Sequence, residues 1–172
     1  MDSNSTPALS SWLSIHTKNV ISGFLQPLSL HPQWKLLYIV SPWISLFDSK
    51  AGLSFDDLLH RISICRTPTF VATRPPEHDW HLEAVNRLAR TNRASIALFP
   101  GLHTKLFCAE TTTASIAMFG SANMTSRAID NIEFGAVILG QGTGEPICRR
   151  LFHHAAELYR LKNRKLFCTG QL

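Results

Sequence analysis

The sequence has 172 residues, of which 45% are hydrophobic and 17% are charged, and its net charge is +5. This length and composition predict a single globular domain over residues 1–172, with a sizeable core and extra buried surface of the kind found at subunit interfaces. We find no signal-peptide pattern, no apolar run long enough to span a membrane and no Cys-x-x-Cys pair, so we expect a cytoplasmic protein with reduced cysteines. The excess of basic residues favours a polyanionic partner.

Apolar periodicity and turn residues divide the chain into helices and strands. The first predicted element is a helix from Pro7 to just before Pro27, because its apolar residues keep roughly helical spacing. The further predicted elements are a strand over residues 34–40, a helix beginning at Ser54, a strand over 68–73, a helix over 77–91, strands over 95–99, 102–108, 114–119 and 132–139, and a helix over 145–163. This order predicts an α/β fold in which a mixed β-sheet is flanked by helices.

Polar and aromatic residues follow two of these strands, at the position where open α/β sheets bind ligands. Ser41 and Trp43 come directly after the strand over residues 34–40, and we predict that both contact the substrate. Trp43 either stacks on a nucleobase or packs as an ordinary loop tryptophan. Arg74 follows the strand over residues 68–73 and is either a phosphate contact or a solvated loop arginine.

His78 and His81 lie three residues apart in the helix predicted over residues 77–91. No third ligand in this stretch completes a metal site, so we interpret the pair as part of a solvated face. Trp80 and Val85 of the same helix are predicted to point toward the core. No carboxylate cluster suited to Mg²⁺ is found either, and we predict neither a metal nor a cofactor.

His103 and Lys105 lie two residues apart on the strand predicted over residues 102–108, so their side chains should project from the same face. Neutral histidine is a nucleophile at physiological pH, and a covalent step divides one difficult displacement into two easier ones. Lys105 can stabilise the charge that phosphate oxygens carry in the transition state. Glu133 can hold the far ring nitrogen of His103 and fix its tautomer. These residue types suit attack on a phosphate diester.

The segment Gly120-Ser121-Ala122-Asn123 follows the strand predicted over residues 114–119. Glycine allows a tight turn and the close approach of a ligand. Ser121 and Asn123 then offer a hydroxyl and an amide, which can both donate hydrogen bonds to phosphoryl oxygens. We therefore predict an active-site motif over residues 97–127.

The residues and their spacing resemble the signature of the phospholipase D superfamily, His-x-Lys-x4-Asp followed by Gly-Ser-x-Asn. Here the signature reads His103-x-Lys105-x4-Glu110 and then Gly120-Ser121-Ala122-Asn123, with Glu133 in the place of the family's downstream acidic residue. Glu110 replaces an aspartate that is mostly structural in the family. The resemblance implies a phospholipase D-like layered fold and a metal-independent phosphodiesterase that acts through a covalent phosphohistidine.

The sequence contains one such motif, whereas the mechanism that the resemblance implies needs two histidines. One histidine attacks phosphorus and the other protonates the leaving oxygen. Family members with one motif per chain resemble halves that pair, and a two-fold homodimer brings the same patch of two subunits together. The resemblance therefore implies a homodimer with a composite active site that contains His103 of both subunits.

The substrate is predicted from the basic charge balance to be nucleic acid, so the first hypothesis is a nuclease that hydrolyses DNA or RNA. The chain resembles bacterial nuclease-like members of the family, some of them tied to DNA restriction or phage defence, with the DpdK-like proteins of DNA-modification clusters as one candidate group. Two alternatives stay open. One is a phospholipid hydrolase or transphosphatidylase, although no amphipathic anchor is found. The other is a non-catalytic nucleic-acid-binding subunit of a larger complex.

Overall fold

The computed structural model of the protein describes residues 12–48, 50, 52–141, 146–161 and 165–167. Within these residues the strands are β1 Trp12–Lys18, β2 Trp34–Val40, β3 Thr69–Thr73, β4 Ala94–Leu98, β5 Leu106–Thr111, β6 Ala114–Gly120, β7 Ile132–Gln141 and β8 Lys165–Leu166. The helices are α1 Val20–Ser29, α2 Phe55–Ile64, α3 Asp79–Ala89, α4 Arg127–Asp130 and α5 Pro146–Tyr159. The strands form one eight-stranded sheet in the order β1-β7-β6-β5-β2-β3-β4-β8.

The sheet is mixed and flanked by helices, as the sequence predicts. Strands β2, β3 and β4 run parallel, because α2 and α3 connect them and a helical crossover returns the chain in its original direction. A tight turn reverses the chain between β5 and β6, and a longer loop that contains α4 reverses it between β6 and β7, so these strands pair antiparallel. Strand β5 also pairs antiparallel with β2, and this pair joins the two halves of the sheet.

Strand β2 lies inside the sheet and is buried on both faces. Leu37 and Ile39 point into the larger core cluster, which includes the apolar faces of α1, α2 and α3. Tyr38 and Val40 point into a second cluster that lies under α5. Burial on both faces explains why β2 reads as an unbroken apolar run in the sequence.

The helix predicted from Pro7 is wrong over residues 12–18 and confirmed from Val20 onward. Residues 7–11 of that predicted helix lie outside the described part of the chain. Residues Trp12–Lys18 form β1, and α1 begins only after Asn19, whose φ is 51°. Leu13 and Ile15 suit the two-residue period of a strand as well as helical spacing, and pairing with β7 selects the strand. Helix α1 also includes Pro27 and ends at Ser29 instead of stopping before the proline.

The other predicted elements are confirmed, with changes at their ends. Helix α2 begins after Ser54, whose hydroxyl accepts a hydrogen bond from the Asp57 backbone N–H at 3.0 Å. The Asp57 carboxylate in turn accepts from the Ser54 N–H at 3.1 Å, which completes a capping box. The predicted last helix ends earlier, at Tyr159, and the chain then pairs with β4 as β8. Residues 145 and 162–163 of that predicted helix lie outside the described part.

The described cysteines form no disulfide, and Cys168 lies outside the described residues. Burial raises the pKa of the Cys108 thiol, so this residue serves as a small apolar member of the core. Among the described helices, none combines the length and the apolar character that a membrane crossing requires.

Candidate active site

The register of the strands collects the predicted site residues at one end of the sheet. Leu106, the first residue of β5, pairs with Val40 at the end of β2 and with Phe119 in β6. Because β5 runs antiparallel to both strands, the residues before Leu106 lie beside those that follow β2 and β6. Strand β3 ends there as well, since Ala72 pairs with Val40. This end of the sheet therefore holds Trp43, Arg74, His103, Lys105 and Ser121.

His103 and Lys105 precede β5 instead of lying on it, so the predicted shared strand face does not exist. The His103 side chain is exposed and Lys105 is half-buried. The Lys105 ammonium donates a hydrogen bond to the backbone carbonyl of His103 at 2.8 Å, and this contact folds the lysine back over the loop. The ammonium is thus held close to the histidine through its backbone and not beside its ring.

Arg74 is the side chain that contacts the His103 ring. Its Nη2 lies 2.8 Å from Nε2 and 3.2 Å from Nδ1 of His103, and its Nε donates to the Leu102 carbonyl at 2.8 Å. A guanidinium only donates hydrogen bonds, so the ring nitrogen that faces it accepts through its lone pair. The arginine therefore anchors the loop and holds its guanidinium against the His103 ring, within hydrogen-bond distance of the nitrogen that a nucleophilic histidine would use.

Ser121 and Glu133 form a pair between the end of β6 and the start of β7. The Ser121 hydroxyl donates a short hydrogen bond to the Glu133 carboxylate and accepts one from the Phe134 N–H at 2.9 Å. The predicted contact of Glu133 with the His103 ring is not formed in this structure, where Arg74 lies against that ring. The carboxylate instead fixes the serine hydroxyl.

Gly120 allows this pair to form because it brings β6 and β7 unusually close. It pairs with Gly135, and a Cβ at residue 120 would overlap the Phe134 carbonyl oxygen and lie 2.7 Å from the Gly135 Cα. Both obstacles are backbone atoms, which cannot rotate away. A glycine is therefore required here for the close approach of the two strands.

The Asn123 amide is half-buried in the loop after β6. Its Oδ1 is buried and finds no hydrogen-bond partner among the described residues. Buried polar atoms without a partner are uncommon, and a ligand group can satisfy them. The unpartnered Oδ1 is an acceptor, so the predicted donation from the Asn123 amide to phosphoryl oxygens stays a prediction.

Ser41 and Trp43, which were both predicted to contact the substrate, lie in different environments. Ser41 is completely buried, and its hydroxyl donates to the Trp43 carbonyl at 2.7 Å and accepts from the Met124 N–H at 3.0 Å. The prediction that Ser41 contacts substrate is wrong, because it ties the turn after β2 to the loop after β6. Trp43 is half-buried, and the Arg74 guanidinium carbon lies 5.3 Å from its ring centroid.

The site residues divide between two cavities. One, of about 400 Å³, is lined by His103, Lys105 and Gly120, together with His154 of α5. The other, of about 740 Å³, is lined by Trp43, Asn123 and Glu133, together with His78 and Trp80 at the start of α3. Sequence reasoning assigned no role to His154 and placed Trp80 in the core, so it missed two lining residues.

The environments of His81 and Trp80 are the reverse of those predicted from the sequence. His81 is fully buried, whereas Trp80 is 44% exposed. The signal was present in the sequence, because His81 keeps the helical spacing of Val85 and Leu88, which are buried in α3. Within the described residues, no three His, Cys, Asp or Glu side chains are grouped so as to hold a metal ion.

The surroundings of His81 favour its neutral form. Its Nε2 lies 3.0 Å from the Thr73 hydroxyl, which gives its own proton to the Pro42 carbonyl at 3.1 Å, so Nε2 is assigned as the donor. Nδ1 is buried with no partner in the described part of the chain. Burial, and secondarily the charge of His78, lower the pKa of His81 to about 4.

Comparisons with known proteins give a clear result for the fold. No protein-family model matches the sequence, and no curated protein is significantly similar to it. The structure resembles Nuc from Salmonella typhimurium, a phospholipase D family member, with a TM-score of 0.62, 10% identity, and coverage of 92% of this chain and 97% of that chain. It also resembles NucT from Helicobacter pylori, with a TM-score of 0.59, 12% identity, and coverage of 87% and 96%. For TrmBL2, an archaeal chromatin protein that binds DNA, the TM-score is 0.52 at 9% identity, covering 91% of this chain and 54% of that one.

These identities are low, so the likeness concerns the fold. It confirms the predicted phospholipase D-like layered fold, a mixed sheet flanked by helices.

The lowered pKa of His81 predicts how stability depends on pH. Between the ordinary histidine pKa of about 6.5 and the folded value of about 4, the unfolded state binds a proton that the folded state does not. Stability should therefore fall as the pH drops through this window, by up to about 3 kcal/mol. Urea unfolding at a series of pH values measures the slope. His81→Gln, which keeps a donor for Thr73, should flatten it, and His60→Gln, at an exposed histidine, should not. Equal slopes in the two variants would contradict the assignment.

Proposed function

We propose that the protein is a metal-independent phosphodiesterase of the phospholipase D type, and that it acts as a nuclease on DNA or RNA through a covalent phosphohistidine at His103. The observation that carries the proposal is the contact of Arg74 with the exposed His103 ring. A nucleophilic nitrogen beside a guanidinium, on a loop whose backbone carbonyl holds the Lys105 ammonium, suits an anionic phosphodiester. The net charge of +5 and the fold shared with Nuc, NucT and the DNA-binding TrmBL2 support nucleic acid as the substrate.

The proposed reaction has two displacements at phosphorus. The lone pair of a His103 ring nitrogen forms a bond to phosphorus while the bond to the leaving oxygen breaks, and a protonated second histidine gives that oxygen its proton. Water then attacks the phosphohistidine, the second histidine takes the proton of this water, and the N–P bond breaks to restore His103. Arg74, Lys105 and the Asn123 amide stabilise the phosphoryl oxygens in both steps. An incoming phosphate draws Arg74 onto its oxygens and so frees the ring nitrogen.

The second histidine is proposed to be His103 of the partner subunit. An apolar patch supports a subunit interface: Ile15 of β1 and Phe119 of β6 both pair with Ala136 of β7, so they lie in one row on one face of the sheet. Phe134, two residues before Ala136, points to the same face, and all three large side chains are exposed. Exposed apolar clusters of this kind are typical of interfaces.

Mixing subunits tests the shared site against a site within one chain, in which His154 would supply the acid. Wild type and His103→Ala protein are mixed in equal amounts and allowed to exchange. If both copies of His103 act on one phosphate, only wild-type homodimers work, and about a quarter of the activity of an all-wild-type sample should remain, because random pairing gives that fraction. Independent sites would leave about half of it. If about half of the activity remains and His154→Ala is inactive, the composite site is contradicted.

Variants of the motif test the proposed roles on plasmid, single-stranded DNA, RNA and phosphatidylcholine vesicles in the presence of EDTA. Nucleic acid should be cut, and His103→Ala should abolish cutting while the fold persists. Lys105→Ala and Asn123→Ala should each lower the rate about 100- to 1000-fold, because each removes one donor to the phosphoryl oxygens. Ser121→Ala should cost less, since the hydroxyl is held by Glu133. The exposed His60→Ala is the matched control and should remain fully active.

The same assay distinguishes the alternatives. Turnover of vesicles without cutting of nucleic acid would establish a phospholipid hydrolase. Binding of nucleic acid without cutting would indicate a non-catalytic subunit. An absolute requirement for a divalent metal would contradict the metal-independent mechanism.

A further inference from the structure

The 740 Å³ cavity has an aromatic wall made by the turn after β2 and the start of α3. The rings of Trp43 and Trp80 lie 6.1 Å apart, and the His78 ring stacks on Trp80 with a centroid distance of 5.4 Å and an interplanar angle of 18°. The rest of the lining comes largely from the loop after β6 and from α4, where Asn123, Ser126 and Asn131 offer amide and hydroxyl groups. One cavity thus combines flat aromatic rings with several hydrogen-bonding groups.

Core packing accounts for only part of this wall, since Trp80 also stacks on the buried His81 ring at a centroid distance of 5.7 Å. His81 fills the core position of α3, whereas Trp80 is 44% exposed and His78 is also exposed. Trp43 is half-buried, with Arg74, His78, Trp80 and His81 around its ring. The exposed members that a ligand can reach are therefore Trp80 and His78.

Arg74 connects the wall to the proposed nucleophile. Its guanidinium carbon lies 5.3 Å from the Trp43 ring centroid, and its Nη2 lies 2.8 Å from His103 Nε2. Asn123 and Glu133, which belong to the motif, also line the cavity. A phosphodiester held at His103 by Arg74 therefore has the aromatic cavity next to it, within reach of the adjoining nucleoside.

We infer that this cavity binds an unpaired nucleobase of single-stranded nucleic acid, next to the phosphate that is cut, by stacking on Trp80 and His78. The inference rests on the proposed function, and it names the substrate class of the same site. Every base has a π-face that an aromatic side chain can stack on, and the polar groups of Asn131 and Ser126 can meet the base edge. In a duplex both faces of a base are stacked and its edge is paired, so a single strand is the preferred substrate. The volume lies within the range of small-ligand pockets.

The test compares two substrates that differ only in their bases: a single-stranded oligonucleotide and a deoxyribose-phosphate oligomer of the same length in which every site is abasic. Trp80→Ala should raise KM for the oligonucleotide about 5- to 100-fold, the usual range for loss of one stacked base. It should leave KM for the abasic oligomer unchanged and reduce the preference for single strands over duplex. Trp80→Phe keeps an aromatic face and should retain most of the affinity, whereas Trp80→Leu keeps only apolar bulk and should resemble alanine. Ile147→Ala, an exposed apolar residue of α5, is the matched control.

Equal losses on both substrates, or equal behaviour of the phenylalanine and leucine variants, would overturn the inference. Fluorescence anisotropy measures binding of the oligonucleotide to the His103→Ala protein, with and without Trp80→Ala. This measurement distinguishes failure of the base site from failure of the proposed function. If no phosphodiester is cut but Trp80→Ala still weakens this binding, the nuclease proposal fails and the base site stands. If cutting is intact and Trp80→Ala leaves both KM and binding unchanged, the base site alone fails.

Discussion

The pairing of β2 with β3 on one side and with β5 on the other is the constraint on which the site depends. Val40 pairs with Ala72 in the parallel direction and with Leu106 in the antiparallel direction. A shift of one residue in either pair would exchange the two faces of β2. Leu37 and Ile39 would then enter the cluster under α5 and Tyr38 would enter the other cluster, so the side chains would no longer match the packing on either face. Burial on both faces therefore fixes the register, and the register brings Arg74 and the His103 loop together.

Arg74 then connects three parts of the molecule through one guanidinium. It donates to the Leu102 carbonyl, contacts the His103 ring and lies over Trp43. A planar guanidinium can serve all three contacts because it combines a fixed fork of donors with a face that stacks on aromatic rings. In the proposed reaction, the substrate phosphate competes with His103 for the Arg74 guanidinium. The contact between Arg74 and His103 therefore shields the nucleophile before substrate binds and marks where phosphate binds.

Sequence reasoning succeeded where local signals and burial agree. The apolar run of β2 and the helix start at Ser54 are both local signals, and both were predicted correctly. Strand β1 was missed because its partner β7 lies more than a hundred residues away, and Leu13 and Ile15 fit either period. The motif residues His103, Lys105, Ser121 and Asn123 were predicted from their types and spacing. Their contacts were not, because the Ser121–Glu133 and Arg74–His103 pairs depend on the register of neighbouring strands. Ser41 and His81 were misjudged for a related reason, since each is a polar residue whose burial is made acceptable by partners from other segments.

The central claim is that His103 carries the phosphoryl group during turnover. Rapid quenching of the reaction on a substrate labelled at the cleaved phosphate, followed by peptide mapping, tests it most directly. The account predicts a label that is lost in acid, is stable in base and maps to His103, and that is absent from the His103→Ala protein. Label on another residue, or full activity of the His103→Ala protein, would contradict it.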